Sequence, residues 1–93
     1  NGPSKEDYYA AGTYLFQSNS DLKKSLEYVD KAISMNDKAP FWQLRQKSLI
    51  QAKLGDKKGA IETAKASLSA AEAAGNADYV KMNKDSIAEW SKK

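Results

Sequence analysis

Two seven-residue segments 35 positions apart limit this chain more than any other feature. Asp21-Leu-Lys-Lys-Ser-Leu-Glu27 reappears as Asp56-Lys-Lys-Gly-Ala-Ile-Glu62. Beyond them Val29 corresponds to Ala64, Ala32 to Ser67, Ile33 to Leu68 and Ser34 to Ser69. Size and polarity are kept position by position, as in a unit of structure used twice. A unit of this length holds two helices and a turn, and such hairpins stack because neither buries its apolar face alone.

The helical reading follows from spacing and punctuation. Ser4 followed by Glu6 and Asp7 is an N-cap with acidic residues in the first turn, which satisfies free backbone donors and suits the helix dipole. A first helix is predicted over Lys5–Gln17, with Tyr9, Gly12, Thr13 and Phe16 on its packed side and a turn at Ser18-Asn19-Ser20. Asp21 caps a second helix to Met35, whose Leu22, Leu26, Val29 and Ile33 fall at steps of four, three and four, a single buried stripe.

A third helix is predicted from Pro40, placed in its first turn where a missing N–H is harmless, to Leu54. Gly55 supplies a left-handed stop and Asp56 the next cap. The fourth helix runs to Ala74 with a strip of small residues, Ala60, Ala64, Ser67, Ala71 and Ala74, against which another backbone can pack closely. After Gly75, Asn76 or Asp78 opens a fifth helix. Its Val80, Asn83, Ile87 and Trp90 share one face, its charges lie elsewhere, and Glu89 and Lys93 are one turn apart.

Few glycines and prolines and many Ala, Lys, Leu and Glu residues agree with this all-α reading. Apolar residues at 41% against 29% charged place the chain among folded domains rather than disordered ones. The expected organisation is an N-terminus, residues 1–4, that is disordered or an appended remnant, then one domain over 5–93. Within that domain one repeat covers about 5–39, a second about 40–75, and a closing helix about 76–92.

Spacing, hairpin turn and small crossing residue together resemble the tetratricopeptide-repeat family. Gly55-Asp56-Lys57-Lys58-Gly59-Ala60-Ile61-Glu62 is similar to that family's turn into its second helix, with Ser25 the counterpart of Ala60 in the first repeat. The first helices depart further: Lys47 and Gln51 stand where the family prefers apolar residues, and Val29 and Ala64 replace an aromatic. The segment also resembles, more loosely, the helical C-terminal tail of a bacterial family of uncharacterised exported proteins. That second resemblance implies an exported or periplasmic location.

The tetratricopeptide resemblance implies a short right-handed α-solenoid of five antiparallel helices, and a concave groove that takes an extended peptide or a helix. Carried over by position, the groove includes Tyr14 and Gln17 from the first helix, Trp42, Arg45 and Leu49 from the third, and Lys84 from the fifth. Trp and Arg are the types that most often carry binding energy, and Arg45 is the chain's sole arginine. The competing role for this pair is structural, with Trp42 closing the hairpin core and Arg45 lying over it. The family's carboxylate clamp has no complete match in the sequence.

Other classes fit less well. With neither Cys nor His the chain lacks disulfides, the usual soft metal ligands and the commonest neutral-pH base. Glu6 with Asp7 and Asp85 with Glu89 read as helix-end and surface charges, so no catalytic residue, cofactor or metal site is assigned and no enzyme activity is expected. Net charge is +3, but 14 of the 15 basic residues are Lys and acidic residues interleave, which argues against nucleic-acid recognition. No apolar run suits a membrane span. Two functions remain: an interaction module for a protein or peptide, or a structural C-terminal support for another domain of the same chain.

Overall fold

A computed structural model of the protein describes residues 2–92. It contains five α-helices among those residues: α1 (Lys5–Gln17), α2 (Leu22–Ser34), α3 (Phe41–Lys53), α4 (Lys57–Ala74) and α5 (Ala77–Trp90). Four of them begin on side-chain caps. Ser4 and Asp7 form a reciprocal capping box at α1. Asp21 accepts from Lys24 N, Asp56 from Gly59 N and Asn76 from Tyr79 N. Each such cap contributes about 1 kcal/mol by satisfying a donor that the helix itself cannot.

The third helix differs. Pro40 is not in its first turn but is the extended N-cap residue, and no side chain caps the helix. Ser4 is the cap of α1, so structurally it belongs with the domain; Asn1 of the expected N-terminal remnant lies outside the described residues, as does Lys93. Glu89 pairs with Lys92 at 3.4 Å.

Gly75 ends α4 in the left-handed region, at φ 72°. A Cβ there meets no neighbour, so the strain of a substitution is purely conformational. Gly75→Ala is expected to destabilise the fold by roughly 1 kcal/mol, read as a lowered urea midpoint with an unchanged slope.

The helices zigzag. α1 packs on α2, α2 on α3, α3 on α4 and α4 on α5; α1 and α5 each adjoin α3, whereas α2 and α4 do not meet. Two layers result, α1–α3–α5 and α2–α4, in a slab of 40 × 29 × 18 Å. α1 and α3 run in the same direction: Lys5 and Trp42 lie together at one end, and Lys53 sits 5.9 Å from the Phe16 ring at the other.

The core is made of small and polar residues. Val29, Ala32, Ile50, Ala60, Ala64 and Ala71 are fully buried, and so are Ser25, Ser48, Ser67 and Asn83. Leu22, Leu26 and Ile33 are only half-buried and flank Val29. α1 and α2 cross where Gly12 presents bare backbone to Val29, and the Ser25 hydroxyl donates to the Gly12 carbonyl at 2.6 Å. The serine that stands for Ala60 in the first repeat therefore bonds its hairpin together while keeping the spacing small. Lys47, which breaks the apolar pattern of α3, reaches back to Asp30 of α2 at 2.8 Å.

Candidate peptide-binding face

The face formed by α1, α3 and α5 carries the residues singled out in the sequence, but it does not gather them into one pocket. At its centre is a polar network that ties three helices together. The Ser67 hydroxyl of α4 donates to the Phe41 carbonyl at 2.8 Å and accepts from Asn83 Nδ2 of α5 at 2.8 Å. Arg45 Nη1 of α3 donates to Asn83 Oδ1 at 3.1 Å and to Ser86 Oγ at 3.3 Å. Burial lowers the pKa of Arg45 from its ordinary value, opposed by the nearby Tyr79 phenol; an arginine so placed still carries its charge.

Arg45 therefore faces α5 rather than lying over Trp42, and part of its donor set is already used by the fold. Trp42 does not close the core: it is 46% exposed and meets the Phe41 ring edge-on at 5.1 Å. Phe41 fills the inner position, with the Tyr79 ring 4.8 Å away. Aromatic rings from α3 and α5 are thus in contact, and the outermost one is left to solvent.

Beside Trp42, a cleft of about 410 Å³ opens between the start of α1, the α2–α3 loop and the start of α3. Lys5, Glu6 and Tyr9 line it from α1, Asn36, Lys38 and Pro40 from the loop, and Trp42 and Gln43 from α3. Burial raises the pKa of the Tyr9 phenol, the Thr13 hydroxyl acting against it and the Tyr79 phenol with it. Tyr9 forms a half-buried wall of the cleft.

Tyr14 is 68% exposed on α1, Gln17 is exposed one turn further on, and Leu49 is half-buried on α3. Lys84 lines a different cleft, of about 590 Å³, between the end of α4 and the outer side of α5, with Glu72, Val80, Lys81 and Asp85. Gln43, Asn36, Lys5 and Lys38 are not among the site residues to which the sequence points. Their convergence depends on α1 and the α2–α3 loop meeting the start of α3, a tertiary juxtaposition without a local signal. Asn83 did carry one, being the polar residue in the apolar stripe of α5.

Among the described residues no group of acidic side chains is arranged to hold a metal ion, and no helix is long and apolar enough to cross a membrane. Comparison with protein-family models, with curated proteins and with solved structures finds no match to this chain.

Proposed function

We propose that the chain is a short helical-repeat interaction module of tetratricopeptide type, without catalytic activity of its own, which takes an extended peptide segment along the α1–α3–α5 face. The observation that carries this reading is Trp42. Nearly half of an indole is left in water at the rim of a cleft between two parallel helices, and Phe41 behind it already fills the inner position. Tyr14, the most exposed large apolar residue of the chain, belongs to the same layer of helices. Aromatic side chains of this kind supply large contact area at little entropic cost, and they dominate peptide and protein interfaces.

The 35-residue repeat and the zigzag packing support the family reading, and the absence of His and Cys agrees with a binding role. The test is selection of peptides from a displayed random library on the purified chain. Trp42→Ala is expected to weaken the selected peptides by about 2 kcal/mol, the scale of an interface anchor, with helicity unchanged because Trp42 lies at the rim of the fold, nearly half of it already in water. If the peptides bind Trp42→Ala and Tyr14→Ala as tightly as the unaltered chain, this face is not the binding surface.

A further inference from the structure

We propose that the cleft beside Trp42 receives the carboxylate of an acidic side chain in the bound peptide; the inference rests on the reading of this face as a peptide site and specifies its ligand chemistry. It starts from Gln43, which is only 4% exposed and yet lines the cleft. Asn36 Nδ2 donates to the Ala32 carbonyl at 2.9 Å and to Gln43 Oε1 at 2.9 Å. A group that donates to a main-chain carbonyl is an NH₂, so its other partner on Gln43 is the oxygen. This fixes the orientation of the Gln43 amide, and its Nε2 is left donating to no group among the described residues. Although Gln43 is almost wholly buried, this nitrogen opens on the cleft, where it is free to donate to water or to the oxygen of a ligand.

The surroundings select an anion. α3 is the helix that has no side-chain cap, so the positive end of its dipole is unopposed at the edge of the cleft. Lys5 and Lys38 line the same space with Glu6, and none of the three forms an ion pair among the described residues. The local balance of two cations and one anion is complemented by a single negative charge. A carboxylate fits that balance, whereas a phosphate dianion would leave an excess. Because the exposed Trp42 indole forms the rim, the residue beside the acidic one is expected to be large and apolar.

The probes are three short peptides: acetyl-Leu-Glu-Leu-amide, acetyl-Leu-Gln-Leu-amide, and acetyl-Leu-Gln-Leu with a free C-terminus. Each is titrated at millimolar concentration into the full chain while the Gln43 side-chain amide and the Trp42 indole are followed by ¹H–¹⁵N NMR. The glutamate peptide is expected to move both signals and to bind about tenfold more tightly than its amidated glutamine counterpart, the scale of one charge-assisted hydrogen bond. That preference is expected to disappear in Lys5→Gln/Lys38→Gln, which changes only surface side chains, and in Gln43→Leu. Equal binding of the three peptides, with Trp42 shifting and Gln43 unmoved, would overturn the carboxylate site and leave the peptide-binding reading standing. Silence of both Trp42 and Gln43 with every peptide counts against both. A free-acid glutamine peptide that alone reproduces the Gln43 shift would replace the acidic side chain by a chain terminus and overturn the proposal in its stated form.

Discussion

Gly12→Ala is expected to lower stability by about 2 kcal/mol, although alanine is the better helix former. In an exposed helix interior the same exchange would gain roughly 1 kcal/mol from propensity. Here the added Cβ would lie 2.6 Å from Val29 Cγ2 and 2.9 Å from the Ser25 carbonyl oxygen. The first of these atoms belongs to a fully buried, β-branched side chain, which has little rotamer freedom in a helix. The second is backbone of the partner helix and moves only if α2 moves. Separating the helices would stretch the Ser25 to Gly12 hydrogen bond at the same time. Overpacking at the upper end of its usual range, about 3 kcal/mol, therefore outweighs the propensity gain.

Thermal melting followed by far-ultraviolet circular dichroism reads the effect, and a fall of roughly 10 °C corresponds to it for a domain of this size. Gly12→Ala is expected to cost less in a Val29→Ala background, where the side-chain collision is gone but the one with the Ser25 carbonyl remains. A melting temperature that rises in Gly12→Ala would show that the helices do not cross at this contact.

The same crossing shows why much of the architecture was legible in advance. Short-range features set the helix limits: Ser4, Asp21, Asp56 and Asn76 each cap through a backbone donor three residues ahead, a relation that depends on local sequence alone. The repeat then pairs the helices, because a 35-residue period with Gly12 and Ser25 in one hairpin and Ala60 in the other permits close crossing in both.

The sequence puts Pro40 one position too far into α3, because Pro is as compatible with the extended residue before a helix as with its first turn. The apolar stripe of α2 predicts burial of Leu22, Leu26 and Ile33, yet they are only half-buried, since in a slab two helices thick the large side chains that are fully enclosed are few, Ile50, Val29 and Asn83 among them.

Long side chains were the least legible. Arg45 has the position of a groove residue on α3, yet its direction is decided by Asn83 and Ser86, 38 and 41 residues away in sequence. A guanidinium group reaches several helical positions, and which it takes depends on acceptors that only the packing of α5 provides. Lys47 illustrates the same point: a cation on the packed side of α3 makes sense once Asp30 is opposite it. The unpartnered Gln43 donor could be recognised only when the Asn36 amide was seen to be held by the Ala32 carbonyl.

Asn83→Leu is expected to destabilise the chain by about 3 kcal/mol, even though leucine is apolar, nearly isosteric and a better helix former. Asn83 is fully buried, and both ends of its amide are engaged, Nδ2 with Ser67 and Oδ1 with Arg45. Leucine would satisfy neither. Ser67 would keep its bond to the Phe41 carbonyl, but the half-buried Arg45 would retain only the longer contact to Ser86. Stranding a desolvated cation is the dominant loss, because its charge cannot be given up. Asn83→Asp separates the contributions: a carboxylate would suit Arg45, but Ser67 has one hydroxyl proton and already spends it on the Phe41 carbonyl, so the contact on that side turns repulsive. The expected order of stability is Asn, then Asp, then Leu. A double-mutant cycle with Arg45→Met supplies the decisive measurement: Asn83→Leu should cost markedly less when Arg45 is already Met, since no cation remains to be stranded. Strict additivity of the two substitutions in urea unfolding would mean that the Arg45–Asn83 bond does not hold α5 to α3, and that α5 is fixed by Phe41, Tyr79 and the small residues of α4 alone.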